Sequence, residues 1–344
     1  MKIRRILIAS TLVTRHLALV AQRQFLSMSE ANVTYRYVLY NVAFCSDVPL
    51  ALPSAPTDQL IRIEILDIRS AESISSDDVI IQTVRDDWTA LHVYKSGMVQ
   101  IEWKNWLAIW ISRDGRTVRY KVDEKAYPTA FEAYIANFAI SAALLLQGEE
   151  TLHATVVEFK GCGIGLLGDS GSGKSTLAAH MLGLGADLVT DDMLRITETD
   201  GVRFAEPGQP RLKLLREAAE RHFGGVADHG RWNPVSEKYL FDTHDLRSPR
   251  KKQRLDVLVW LAPPDDARPD AVHFKQVIGL EMFKVLAGST MNSKLQTSDR
   301  LARQLRYTEW VGAKTPVYEL RYPRRHDVFT AVVETILGAR IRLQ

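Results

Sequence analysis

The chain has only two cysteines, Cys45 and Cys162. That excludes a disulfide framework and a cysteine-based zinc site, and it fits a reducing compartment, here the cytoplasm. A membrane-length apolar run is missing too. The longest uncharged stretch past the amino terminus, Ala133 to Gly148, is 16 residues, short of the roughly 20 that span a bilayer. It reads as a buried helix. A strong charge of either sign is also absent: 44 Lys+Arg stand against 41 Asp+Glu, a net +3. So even a balance gives no reason to expect nucleic acid as a partner. Internal repeats and low-complexity tracts are not found. What remains is an ordinary globular composition, 46% hydrophobic and 25% charged over 344 residues, enough for roughly two domains.

Acidic residues are lacking before Glu30, whereas Lys2, Arg4, Arg5, Arg15 and Arg23 precede it. The apolar run Ile6 to Val13 resembles a secretion signal, but Arg15 and His16 cut it short and no clean cleavage pattern follows. Residues 1–29 therefore read as a basic, disordered extension with Met28 as a candidate natural start. The alternative is a targeting or membrane-surface peptide.

Residues 30–128 form a β-rich first domain. Strand-like runs occupy Val33–Phe44, Leu60–Ile68, Trp88–Tyr94, Met98–Trp103 and Leu107–Ser112, with turns at Ser96-Gly97 and Asp114-Gly115. Pro49, Pro53 and Pro56 mark an early loop. Trp103, Trp106 and Trp110 are expected in the sheet core. Nothing in this domain assigns it chemistry.

Residues 129–344 carry the chemistry. Ala154–Phe159 reads as a strand, Lys160-Gly161 as a turn and Gly163–Leu167 as a second strand. Then comes Gly168-Asp169-Ser170-Gly171-Ser172-Gly173-Lys174-Ser175, followed by a helix from Thr176. This is a complete G-x-x-x-x-G-K-[ST] phosphate loop between strand and helix. The glycines let backbone N–H groups curl around phosphate oxygens, and the helix start adds positive potential. Lys174 can reach the outer phosphates and the Ser175 hydroxyl can ligate Mg²⁺. Residues Gly168 to Thr176 are the expected nucleotide site, with ATP and Mg²⁺ as cofactors.

Seventeen residues beyond Lys174, an apolar strand ends in Asp191-Asp192. One carboxylate can serve the metal and the other can orient or deprotonate a nucleophile. Regular strand geometry would point the two apart, so a backbone irregularity is expected there. His153 lies 21 residues before Lys174, at the start of the first strand.

Leu152-His153-Ala154, the phosphate loop and Val189-Thr190-Asp191-Asp192 together resemble the catalytic domain of HPr kinase/phosphorylase. The resemblance is best over 130–200. It is looser through the strand Leu255–Ala262, helices near 279–312 and the ending Pro316 to Pro323. It implies an α/β (α+β) phosphate-loop fold related to phosphoenolpyruvate carboxykinase, built on a mixed sheet. A subgroup, the HPr-kinase-like serine kinases of lasso-peptide clusters, is similar over more of the chain. It shares a segment like Tyr40 to Leu50 and an ending like Pro316 to Pro323 before a final helix, here Val328–Leu337.

The resemblance implies phosphoryl transfer from ATP to a serine of a peptide or protein, with a possible homo-oligomer. The catalytic set it implies is Asp191, Asp192, His153, Lys174 and Lys238. Ser175 and Asp192 form the implied metal side, although sequence leaves open which aspartate plays which part. Arg250, Lys251, Lys252 and Arg254 are alternative cations. The parent family's apolar–Glu–apolar–Arg–Gly run is not found after Phe204, where Glu206 to Pro210 leads into a charged helix. HPr as substrate and the reverse phosphorylase reaction are therefore not expected. Alternatives are a small-molecule hydroxyl kinase of the same fold and a non-catalytic nucleotide-binding regulator.

Overall fold

The computed structural model describes residues 34–68, 78–123, 128–224, 230–243, 250–264, 270–296 and 299–341. The basic extension 1–29 lies outside the described residues.

The first domain is one eight-stranded sheet. Its strands are β1 Tyr35–Leu39, β2 Val42–Ser46, β3 Ile63–Asp67, β4 Ile80–Arg85, β5 Thr89–Tyr94, β6 Val99–Trp103, β7 Leu107–Ile111 and β8 Thr117–Val122. They run in the order β1-β2-β3-β8-β7-β6-β5-β4. β2–β3 and β3–β8 pair parallel and the other pairs antiparallel. The run expected as one strand from Val33 to Phe44 is a hairpin. Tyr40 and Asn41 both take φ of 56° and turn the chain back, the conformation a two-residue type I′ loop requires. Trp103 is buried, but Trp110 shares the parity of half-buried Ala108 and points to the opposite face from Ile109 and Ile111. Strand period 2 thus removes Trp110 from the core position expected for it.

The expected buried helix is α1, Pro128–Leu146, with a π-helical turn over Ile135–Ala139. At 19 residues it reaches membrane-span length, yet most of its surface is buried inside the fold. Phe131, Ile135, Ile140, Leu144 and Leu145 share one core with Phe44, Ile63, Ile109 and Val118 of the sheet. Tyr134 meets Trp103 and Trp106 edge-on at 5.1 and 4.6 Å. Fully burying each large apolar side chain stabilises by about 1.5–3 kcal/mol, which explains a helix apolar on every side. By packing, α1 belongs with the first sheet, although it follows the boundary drawn at 128/129.

The second part is built on a six-stranded mixed sheet. Its strands are β9 Ala154–Phe159, β10 Cys162–Leu167, β11 Asp187–Thr190, β18 Val257–Leu261, β19 His273–Val277 and β20 Val317–Arg321, in the order β11-β9-β10-β18-β20-β19. β10–β18 and β18–β20 are parallel. Alternate residues feed two cores. Val157, Ile164, Leu166, Val257 and Val259 pack against α2 Lys174–Gly183, α3 Arg216–Phe223 and α6 Phe329–Ile341. Val156, Leu167 and Leu258 pack on the other face against α4 Gly279–Gly288 and α5 Arg300–Gly312.

Two three-stranded sheets complete the fold. One holds β12 Ile196–Thr199, β13 Val202–Ala205 and β17 Gln253–Arg254; the other holds β14 Arg211–Leu214, β15 Arg231–Asn233 and β16 Lys238–Asp242. The charged helix expected directly after Glu206 to Pro210 starts only at Arg216, and the residues between form a strand, β14. Arg211-Leu212-Lys213-Leu214 alternates as a strand should, with both leucines in the core.

Two buried arginines anchor the second part, and the first of them also ties it to the β-rich part. Arg211 reaches Glu132 of α1, Asp242 of β16 at 2.8 Å and the Ala51 carbonyl at 3.1 Å. Arg300 is fully buried, with Glu150 at 3.1 Å and the carbonyls of Met291, Asn292 and Leu295 at 2.5–2.7 Å. Removing one member of such a pair strands the other charge in a dry site. Arg300→Ala should cost about 3–5 kcal/mol, read as a lower denaturant midpoint. Arg300→Lys should recover only part of that loss, because an ammonium cannot serve the same fork of acceptors. A change within ~0.5 kcal/mol for Arg300→Ala would show that Glu150 is not held by this pair.

Candidate active site

The phosphate loop leaves the carboxyl end of β10, beside its parallel neighbour β18. That is where open α/β sheets present ligand crevices. Gly168, Gly171 and Gly173 have φ of 141°, 83° and 93°, a region closed to most side chains. Gly173 is the residue that starts α2, so the loop's last glycine sets the helix with its N–H groups toward the loop. Lys174 is buried rather than facing solvent. Its ammonium donates to the Gly168 carbonyl at 2.6 Å and the Asp169 carbonyl at 3.0 Å, clamping the loop on itself. Burial pushes its pKa down, against the pull of Asp192 and Asp191. Asp169 and Ser170 are exposed at the loop's tip.

The expected irregularity before the aspartates is present. β11 pairs antiparallel with β9, and the register slips between Leu188 and Thr190. Asp192 then takes φ of 68°, uncommon for a residue with a Cβ. Slip and left-handed turn together bring both carboxylates to the phosphate-loop end of the sheet.

The two carboxylates have different surroundings. Asp191 is buried; its Oδ1 accepts from Thr155 Oγ1 at 2.6 Å and from Ser175 Oγ at 3.2 Å, and its Oδ2 from the Lys213 N–H at 3.0 Å. Burial and then the Asp192 charge push its pKa up. Asp192 forms an ion pair with Lys213 Nζ and accepts from Asn137 Nδ2 at 3.3 Å. Burial opposes its ionisation, but Lys213, His153 and Lys238 outweigh that and hold it well below the usual carboxylate range. Ser175 thus sits on Asp191, not on Asp192 as in the expected metal pair. The reason is local: Thr155 on the adjacent strand and the β14 backbone fix Asp191 toward the loop serine.

His153 precedes β9 and is half-buried. Burial first and the Lys174 charge second push its pKa down to about 4, so its ring is neutral near pH 7. Lys238 stands on β16 opposite Asn233, and its charge acts on His153, Lys174 and Asp192. All five expected catalytic side chains therefore fall in one electrostatic cluster. Three of the alternative cations are hydrogen-bonded or ion-paired elsewhere. Arg250 binds the Val189 and Gly208 carbonyls at 2.9 and 2.6 Å, Lys252 the Thr199 hydroxyl at 2.5 Å, and Arg254 the Asp256 carboxylate at 2.9 Å.

Sequence reasoning did not find Lys213, Asn137 or Thr155. The alternation around Lys213 was a usable signal, since it places Lys213 and Arg211 on one strand face. Thr155 lies in a run read only as strand, and Asn137 in a run read only as a buried helix.

Comparison with known proteins falls on the same region. Residues 145–215 match the HPr Serine kinase C-terminal domain. An HPr kinase/phosphorylase of Clostridium botulinum (strain Eklund 17B / Type B) is 39% identical over 81 residues, 24% of this chain and 27% of the relative. That of Burkholderia lata is 35% identical over 162 residues, 46% of each. The chain thus matches less than half the length of these curated relatives. Among solved structures, the Hpr(Ser) kinase/phosphatase from Coxiella burnetii aligns with a TM-score of 0.32 at 12% identity, over 56% of this chain and 97% of that one. The stretch that carries His153, the phosphate loop, both aspartates and Lys213 is similar to the carboxyl-terminal domain of the HPr kinase/phosphorylase family.

Proposed function

We propose that the protein is an ATP- and Mg²⁺-dependent kinase that transfers the γ-phosphoryl group to a serine hydroxyl of a peptide or protein in the cytoplasm. One observation carries this reading. The phosphate-loop serine is hydrogen-bonded to Asp191, while adjacent Asp192 keeps a separate face lined by Lys213. A nucleotide-only binding site needs the first arrangement but has no use for the second.

The donor set suits Mg²⁺. Ser175 Oγ and Asp191 Oδ1 are hard oxygen donors 3.2 Å apart, and a buried carboxylate with a raised pKa is eased by a cation. Ser175 and Asp191 would hold the ion, which when bound offsets negative charge on the phosphate oxygens. The backbone of Gly168 to Thr176 would cradle the phosphates, with Lys174 released from its loop carbonyls to meet them. Asp192, ionised, would accept a hydrogen bond from the serine hydroxyl and take its proton as the oxygen attacks. Lys213 and Lys238 supply positive charge beside the transferring group. His153, neutral, would hydrogen-bond a phosphate oxygen or Asp192.

A precursor peptide of the lasso type is the acceptor that the subgroup resemblance suggests. HPr is a weaker candidate, since the apolar–Glu–apolar–Arg–Gly run is not found after Phe204. Transfer without any peptide present would point instead to a small-molecule hydroxyl kinase. Nucleotide binding without turnover would point to a regulator.

Lys174→Ala should reduce transfer by about 10²–10⁴. Because the side chain bridges two loop carbonyls, it should also cost ~1–2 kcal/mol of stability, read by calorimetry. Turnover like that of the wild type would sink the kinase assignment.

The aspartates should separate by kind of defect. Asp191→Asn should weaken Mg-ATP binding and lower transfer by at least about 10². Asp192→Asn should lower transfer comparably while binding Mg-ATP within about two-fold of wild type. Titration calorimetry and a transfer assay on both variants check this. The assignment fails if Asp192→Asn is the one that loses Mg-ATP, or if both variants transfer normally.

A further inference from the structure

The first sheet also reaches the site, through Tyr40, the first residue of the segment similar to the subgroup's. Tyr40 sits at the turn between β1 and β2, fully buried, with φ of 56°. Its hydroxyl donates to Asn137 Oδ1 at 2.8 Å. That bond fixes which way the amide faces, and Asn137 Nδ2 then donates to Asp192 Oδ2 at 3.3 Å. Asn137 is itself 1% exposed and lies within the π-helical turn of α1, the kind of distortion that re-aims side chains at functional sites.

The turn is anchored independently of its hydroxyl. The Tyr40 N–H donates to the Pro207 carbonyl at 2.8 Å, and Arg195 donates to the Tyr40 carbonyl at 3.0 Å while its other side is held by Glu149 at 2.8 Å. Gly208 leaves the room this needs. A Cβ there would stand 2.6 Å from the Tyr40 ring and 2.0 Å from Thr190 Oγ1. Backbone and ring are thus locked against the strand that ends in the aspartate pair. Among the described residues, both donors to the Asp192 carboxylate, Asn137 and Lys213, meet Oδ2. This clamp therefore leaves Oδ1 unused.

We propose that Tyr40 and Asn137 are positioning residues for Asp192, so that the β1–β2 turn of the first sheet completes the phosphoryl-transfer site. The inference rests on the kinase reading above for its kinetic consequence, but not for the relay itself. A fixed Oδ2 holds Asp192 in its left-handed conformation, where the contacts around it outweigh the backbone preference. An unclamped carboxylate would rotate and spend less time aligned with the acceptor hydroxyl. Burial keeps the Tyr40 hydroxyl protonated, with Asp192 adding to that effect, so it acts as a standing donor and not as a base.

The test uses the full chain, with Tyr40→Phe and Asn137→Ala made singly and together. Each single variant should lower kcat roughly ten-fold, with KM for Mg-ATP and for the serine peptide within about two-fold. The double variant should be no slower than the slower single one, because both remove the same clamp. An unchanged kcat in Tyr40→Phe, or effects that multiply in the double variant, would overturn the proposal. A second readout needs no turnover. The Asn137 side-chain amide, followed by NMR, should exchange with solvent at least about ten-fold faster in Tyr40→Phe than in wild type. Equal exchange would contradict the relay. A wild-type protein that transfers nothing would sink the kinase reading instead, and the amide measurement would still decide the relay.

Discussion

Two carboxylates side by side at a buried strand end are the constraint around which the site is organised. Unit charges about 4 Å apart at an effective dielectric of 20 repel by ~4 kcal/mol, and each also loses hydration. The fold answers by treating them differently. Asp191 has neutral donors beside it, Thr155, Ser175 and a backbone N–H, which do not offset burial and the Asp192 charge, so its proton affinity rises. Asp192 is given Lys213 and its proton affinity falls. An environment that splits two like groups this way suits them to different chemistry, which is the basis for proposing Asp191 as the cation's ligand and Asp192 as the charged acceptor. The register slip in β11, the left-handed Asp192 and the placement of β14 all serve that split.

The first sheet bears on the same constraint. Its core takes in Met193, the residue after the aspartate pair, together with Met291 and Leu295. Arg211 joins the strand that presents Lys213 to α1 and to the Ala51 carbonyl. A side chain that is fully buried and shared in this way resists separation of the two parts. The β-rich region is therefore a wall of the site, not an appendage to it, and this is why an apolar helix of 19 residues can lie mostly buried inside the fold.

Chemistry legible in the sequence was chemistry set by neighbours in the chain. The phosphate loop needs its glycines, lysine and serine within eight positions, and the strands on either side of Lys160-Gly161 form one hairpin. Those elements stand where the pattern puts them. What escaped was set by contacts across the fold. Lys213 acts on Asp192 from 21 residues away, and Asn137 from 55. No local rule links them, and Asn137 stands in a run whose apolar composition says only that it is buried. Edge strand β4 was missed for the opposite reason. Ile80 and Ile81 are both exposed, so the strand lacks the alternation that burial on one face imposes. Spacing cannot tell which of two adjacent carboxylates a strand bulge will aim at the loop serine, which is why Ser175 was expected beside Asp192 and is hydrogen-bonded to Asp191.

On the proposed function, the paired aspartates move a phosphoryl group from nucleotide to a serine. Incubating the wild-type chain with γ-labelled ATP, Mg²⁺ and a set of serine-bearing peptides, then locating the label by mass spectrometry, tests it most directly. Phosphoserine should form, and only when Mg²⁺ is present. Tight nucleotide binding with the label left on ATP, or label on water or a small molecule but never on serine, would contradict it.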